Sequence, residues 1–354
     1  MQTSKSISRR NFIEKAAVTA GLTAVGYDTL FGKSSNLSPT PSPQEREVLL
    51  QERLPREVWI ATVSQEGMSA ETTEKMAEAM LGVIGKSVAY RPDIVCLPEY
   101  FLYTSIQKRL TLPERVEISE NLSHNFAAFA RTNRCYLIYP VFTRENGKIY
   151  NAAVVFDRQG NRMGEYRKTR LPLDELEMGI TPGPLHPPVF KTDFGIIGIQ
   201  ICYDILWFEG WEALRRKGAE IVFWPSAYPA GRKVNAMAWQ HRYAVATSTR
   251  GTSKICDISG DVIAQNGFDR NLICAPVNLE KTFIPTWLNV KNFDNIRAKY
   301  GRKIKFTTYQ EEGWTVMECL SPDVRLNDIL KEYNIKTTEQ MAYESEEISI
   351  GRRV

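Results

Sequence analysis

Along most of the chain, apolar runs of strand length alternate with apolar residues spaced for a helix. Val58-Trp59-Ile60-Ala61-Thr62-Val63 is a continuous apolar run. Met76, Met80, Val83, Ile84 and Val88 then recur at helical spacing until Pro92 ends the pattern. Asp93-Ile94-Val95-Cys96-Leu97-Pro98-Glu99 predicts a buried strand that stops at its proline. Val116, Leu122, Phe126 and Phe129 predict a second helix, followed by a strand over 135–142. Asn146-Gly147 and Arg158-Gln159-Gly160-Asn161 carry turn chemistry and set off two hairpin-like strands, 148–157 and 162–169. Beyond Pro182-Gly183-Pro184 the pattern predicts strands at 189–191 and 196–202, a helix near 209–217 and a strand at 220–224. Strands alternating with helices, with hairpins among them, imply a layered α/β domain over 57–285, without an internal repeat. The tail, 286–354, is more polar. A short helix is expected there over 324–333, in an extension packing on the domain or on a partner subunit.

The segment before this body is composed differently. Residues 1–31 run from a basic start through Ser8-Arg9-Arg10-Asn11-Phe12-Ile13-Glu14-Lys15 into a weakly apolar stretch, 16–26. A twin arginine, an aromatic two residues on and a short Gly- and Ala-rich run resemble a bacterial twin-arginine (Tat) export signal. The plainer alternative is an amphipathic helix with a chance Arg-Arg pair. The run is too short and interrupted for a membrane span, which needs about 20 apolar residues. Passage through export machinery to the periplasm or the exterior is the expectation. No Ala-x-Ala cleavage site is evident, and an uncleaved signal would act as a membrane anchor. Residues 32–56 follow, with Ser34, Ser35, Ser38, Pro39, Pro41, Ser42 and Pro43 giving linker composition that cannot bury a core.

Composition narrows the chemistry. The 354 residues carry 45 Lys+Arg against 41 Asp+Glu, a formal net charge of +4, and 43% are hydrophobic, so a sizeable core can form. Lys5, Arg9, Arg10 and Lys15 against Glu14 and Asp28 supply half of that excess, leaving the body close to neutral. With no basic stripe, nucleic acid is not an expected partner. Six cysteines are too sparse for a disulfide scaffold, and no CxxC or HxxxH pair offers metal-ligand spacing, so no metal is expected. The three histidines, His124, His186 and His241, leave few candidates for a histidine base. His241, between Gln240 and Arg242, is expected at a surface or interface. Nucleotide motifs fail: Met80 stands where a phosphate loop ending Gly85-Lys86-Ser87 needs glycine, and Gly195 and Gly198 lack a third glycine and a following helix. No Gly-x-Ser-x-Gly elbow occurs. No cofactor is expected.

Three predicted strand ends carry residues a packed sheet does not need: Glu99, Lys168 and Cys202. Such ends open into the crevice where α/β folds place ligands. Each has a bland reading: a helix-start carboxylate, a solvated charge, a small buried hydrophobe. Together they form a chemical set. A thiol becomes a strong nucleophile on losing its proton, a carboxylate can take that proton, and an ammonium favours the thiolate and stabilises an oxyanion. Cys96, Cys135, Cys256, Cys274 and Cys319 sit in apolar runs and are expected to be structural.

The segment 93–99, Tyr166-Arg167-Lys168-Thr169-Arg170-Leu171-Pro172, Ile201-Cys202-Tyr203-Asp204 and, further on, Trp224-Pro225-Ser226-Ala227 resemble the signatures of the nitrilase superfamily of carbon-nitrogen hydrolases. The resemblance spans roughly 57–280. It implies a four-layer α-β-β-α sandwich, commonly a homodimer or higher homo-oligomer through the helices flanking the nucleophile. It also implies Cys202 as nucleophile, Glu99 as general base and later acid, Lys168 as stabiliser of the tetrahedral intermediate, and the Tyr203 backbone N–H as a second oxyanion donor. Many members add a glutamate that orients the lysine and substrate. Glu175 is the choice here, with Glu177 close behind. Tyr203-Asp204 stands where true nitrilases have Trp-Glu and resembles the amidase and carbamoylase branches. The implied substrate is an amide or N-carbamoyl compound, releasing ammonia or an amine. Trp207-Phe208-Glu209 replaces the usual Phe-Pro-Glu. Tyr100, Phe101, Tyr103 and Trp207 either line an aromatic pocket or belong to the core. Two alternatives share the fold: an acyltransferase passing the same acyl group to an amine or lipid, and a non-catalytic scaffold.

Overall fold

A computed structural model describes residues 53–267 and 270–353. The expected export signal and all but the end of the expected linker lie outside the described residues.

The first half of the body comprises β1 (Glu57–Val63), α1 (Thr73–Gly85), β2 (Ile94–Cys96), α2 (Leu112–Asn133), β3 (Tyr136–Glu145), β4 (Lys148–Phe156), β5 (Arg162–Arg167) and α3 (Leu173–Glu177). The second half comprises β6 (Val189–Lys191), β7 (Ile196–Ile199), α4 (Phe208–Arg216), β8 (Ile221–Ser226), α5 (Arg232–His241), β9 (Ala244–Thr249), β10 (Lys254–Cys256), β11 (Val262–Gln265) and β12 (Leu272–Asn278). Local chemistry sets the helix ends. The Thr72 hydroxyl accepts from Lys75 N–H to start α1, and α2 opens with a Thr111/Glu114 capping box and a proline in its first turn.

Two six-stranded sheets result, in the orders β12-β1-β2-β3-β4-β5 and β11-β10-β9-β8-β7-β6. Their central strands are parallel and apolar on both faces, because each sheet is covered twice. Ile221 and Phe223 of β8 point between the sheets, against Ile60, Ile94 and Ile138 of the other. Val222 and Trp224 point the opposite way, onto α4 and α5. Val95 and Leu137 pack the outer face of the first sheet against α1 and α2. The layers are therefore α-β-β-α, as expected.

The tail holds more order than its polarity suggested. β13 (Lys281–Pro285), β14 (Ile304–Tyr309) and β15 (Trp314–Cys319) form a third sheet in the order β13-β15-β14. α6 (Thr286–Tyr300), α7 (Leu326–Glu332) and α8 (Thr338–Arg352) accompany it. Only α7 was legible in the sequence. The outer strand β14 is mostly half-buried or exposed and α6 is amphipathic only weakly, so neither carries a strong period. Among the described residues, no helix is long and apolar enough to cross a membrane.

His241 corrects another expectation. It is 3% exposed, closing α5 against Glu212 at 3.3 Å and stacked on Tyr243 at 5.6 Å. Its polar neighbours in sequence masked a ring that packs inward.

Candidate active site

The site lies where the parallel strands of both sheets end. The Ser248 hydroxyl of β9 reaches the carbonyls of Val63 (2.8 Å) and Cys96 (2.9 Å), tying the two sheets together at this edge. Glu99 follows β2, Lys168 follows β5, and Ala227 follows β8.

Lys168 is 1% exposed and bridges two carboxylates, Glu99 Oε1 at 2.8 Å and Glu175 Oε1 at 2.7 Å. Burial works against its ammonium. Glu99, Cys202 and Glu175 outweigh that and hold its pKa above the ordinary range. Glu99 is fully buried and accepts from Asn151 Nδ2 at 2.8 Å, while its other oxygen accepts from the Ala227 N–H at 2.9 Å. Glu175, on α3, also accepts from the Tyr100 hydroxyl at 2.7 Å. Burial raises its pKa, Lys168 opposes and Glu99 adds to the rise. Glu177, two residues on, is exposed, and of the two glutamates it is Glu175 that touches Lys168.

Lys168 is held by its backbone as well: its N–H donates to Asn151 O at 2.8 Å and its carbonyl accepts from Gly183 N–H at 2.8 Å. A Cβ on Gly183 would sit 2.2 Å from the Arg167 carbonyl oxygen, so glycine is what allows this loop to press on the lysine strand.

Cys202 departs from its expected place. β7 ends at Ile199, and Cys202 opens a 3₁₀ turn, Cys202–Leu206, with φ of 46°. A left-handed non-glycine residue costs about 1–2 kcal/mol, and the surroundings hold it there. Trp224 Nε1 donates to the Cys202 carbonyl at 3.1 Å, and Asp204 anchors the turn. The buried Asp204 carboxylate accepts from Ile201 N–H (2.9 Å), Arg170 N–H (2.8 Å) and the Tyr166 hydroxyl (2.7 Å). It thereby ties the cysteine turn to the lysine segment. Burial raises its pKa to about 6 despite these donors. Burial likewise pushes the Cys202 thiol up to about 12, with Glu99 adding to the rise and Lys168 opposing it. At neutral pH the residue rests as a thiol and needs a base to take its proton during attack. Tyr203 sits in the first turn of the 3₁₀ segment, where backbone N–H groups lack an intrahelical acceptor.

The aromatic residues divide. Tyr100 belongs to the site, at φ of 59° and stacked on Phe142 at 4.9 Å. Phe101 is core, edge-on to Phe126 and Tyr139. Tyr103 is half-buried and spends its hydroxyl on Arg115 O at 2.7 Å. Trp207 is half-buried against Tyr203 (5.1 Å), with the Arg170 guanidinium over its ring at 5.4 Å. Sequence reasoning missed Asn151, whose amide reaches Glu99, Glu175 and Tyr100 together. The signal was present as a lone amide in the apolar run Tyr150-Asn151-Ala152-Ala153-Val154-Val155. It also missed the Ala227 N–H, because a backbone donor leaves no residue-type signal.

The sandwich and its buried cluster define the class, a layered α-β-β-α protein with its polar site at the strand ends. The carbon-nitrogen hydrolase pattern matches residues 60–282, and the chain belongs to that family. A deaminated glutathione amidase of Synechocystis sp. is 26% identical over 255 residues, covering 63% of this chain and 93% of the relative. An omega-amidase of Xenopus tropicalis is 29% identical over 217 residues, covering 53% and 77%. Among solved structures, a carbon-nitrogen hydrolase from Helicobacter pylori superposes with a TM-score of 0.57 at 18% identity, covering 69% of this chain and 93% of that one. An amidase from Nesterenkonia sp. gives 0.56 at 17% identity, covering 62% and 90%. At those identities the structural likeness concerns the fold.

Proposed function

We propose that this chain is an exported hydrolase that cleaves an amide or N-carbamoyl C–N bond through a thioester on Cys202. The observation that carries the reading is the Lys168 ammonium shared by Glu99 and Glu175 in one buried cluster that also sets the acidity of Cys202. Cys202 Sγ attacks the carbonyl carbon while its proton passes to Glu99. The oxyanion takes hydrogen bonds from Lys168 Nζ and the Tyr203 N–H. Glu99 returns the proton to the leaving nitrogen as the C–N bond breaks, freeing ammonia or an amine. It then deprotonates a water that attacks the thioester, and the C–S bond breaks to release the acid and restore the thiol. Glu175, Asn151 and Tyr100 hold the lysine and base in place. The amidase names of the sequence relatives support an amide substrate. Leu206, which ends the cysteine turn, and Phe208 just beyond it are 40% and 59% exposed, which supports homo-oligomerisation through this face.

Incubation with short amides and N-carbamoyl compounds should release ammonia or an amine and give an intact-mass adduct on Cys202, both lost in Cys202→Ala. If no compound in the panel yields either signal, the hydrolase reading fails. Export is a separate part of the proposal. Exchanging Arg9 and Arg10 for lysines should hold the protein in the cytoplasm, measured by cell fractionation; unchanged export would refute the twin-arginine reading.

A further inference from the structure

Between α5 and the third sheet lies a cavity of about 180 Å³ lined by Trp239, Gln240, Arg242, Phe283 and Trp314. Arg242 ends α5 in the left-handed region, at φ of 58°. Its guanidinium lies over the Trp314 ring at 5.4 Å and the Phe283 ring at 5.9 Å. A guanidinium carries five N–H donors. One donates to the Thr338 hydroxyl at 2.5 Å, and among the described residues the group makes no other hydrogen bond and no ion pair with a carboxylate. Its charged surroundings do not complete it. Arg215 repels it, and Glu339, the acid that attracts it, is engaged by Arg215 at 3.3 Å. Contact with ring faces attracts a cation but satisfies no donor. The indole N–H groups of Trp239 and Trp314 also find no acceptor among the described residues and, like the free guanidinium donors, are not sealed from solvent. The lining thus offers donors beside aromatic rings and contains no carboxylate.

We propose that this cavity binds a small planar carboxylate. Its two oxygens would take the Arg242 fork in the bidentate geometry that guanidinium favours, and its flat apolar body would lie against the rings of Trp239, Phe283 and Trp314. Size limits the ligand, since pockets for drug-sized molecules begin at about 300 Å³. An acid of roughly the size of benzoate matches. A free phosphate could use the fork but would leave the ring faces uncovered. Phe283, Trp314 and Thr338 lie beyond the family match, which ends at residue 282. The site is therefore assembled by α5 together with segments beyond the family match.

The test is a fluorine NMR titration of the full chain with 4-fluorobenzoate, with 4-fluorobenzyl alcohol as the uncharged control and inorganic phosphate as competitor. Saturable binding of the acid, absent for the alcohol and undisturbed by an equal concentration of phosphate, is expected. Cys202→Ala should bind it unchanged, which separates this cavity from the cysteine site. Arg242→Met should weaken binding by at least about tenfold, the loss of a hydrogen-bonded charged partner. Arg242→Lys keeps the charge against the rings and guards against misfolding as the cause; it too should bind about tenfold more weakly, because the fork is gone. Equal binding by either Arg242 variant, equal binding of the alcohol, displacement by phosphate, or no saturable binding would each overturn the proposal.

Discussion

Replacing Lys168 with methionine should destabilise the protein by about 3–5 kcal/mol and abolish hydrolysis. Removing one partner of a buried ionic set leaves the other charges uncompensated, and costs of this size are typical. Here the loss falls on two carboxylates at once, because Glu99 and Glu175 both lie within 2.8 Å of the same ammonium. With Lys168 gone, burial and mutual repulsion would drive one of them to bind a proton. The oxyanion also loses its ammonium donor, so chemistry and stability fail together. Denaturant unfolding of Lys168→Met beside the parent measures the first effect, and ammonia release the second. The same rise in carboxyl pKa should make the variant relatively less handicapped in acid, since protonation then relieves the repulsion. A stability loss below about 1 kcal/mol would place these contacts in the range of exposed ion pairs and contradict the buried cluster.

The second large effect is expected from Glu99→Gln. The amide keeps the shape and one acceptor oxygen, so folding should survive, but it cannot accept a proton. Loss of a positioned general base typically costs about 10²–10⁴ in rate. The pH dependence is diagnostic. With its base gone, Cys202 must ionise before attack, and burial places its thiol far above neutral pH. Acylation by Glu99→Gln should therefore climb with pH through the alkaline range, about tenfold per unit below the thiol pKa. The parent should not show that climb, because Glu99 removes the proton within the step. Neutralising Glu99 also removes an influence that raises the thiol pKa, so the climb in the variant should level off below about 12. Single-turnover acylation followed by intact mass across pH measures both. A variant with parental rates and profile would remove Glu99 from the base role.

Several features were legible because they are local. The strand and helix periods and the polar residues placed just past apolar runs are written in neighbouring residues. The central strands of the double-covered sheets were clearest, since both faces are buried and nearly every position is apolar. Legibility declined where burial is one-sided or supplied by distant segments. β14 pairs only with β15 and reads as polar, and His241 reads as exposed beside Gln240 and Arg242 although Glu212 and Tyr243 close over it.

The sequence alone determined the α/β class, the order of the main elements from β1 to β8 and the identity of Glu99, Lys168 and Cys202 as residues of chemical interest, because residue type and period are local properties. Only the tertiary structure decided that Lys168 touches both Glu99 and Glu175, that Glu177 faces solvent, and that Asn151 and the Ala227 N–H complete the cluster. It also decided that Cys202 leaves its strand into a left-handed turn and that the polar tail closes a guanidinium-lined cavity. These depend on which distant segments meet, and on how burial and neighbouring charges shift each group once water is excluded. Neither is encoded in the spacing of adjacent residues.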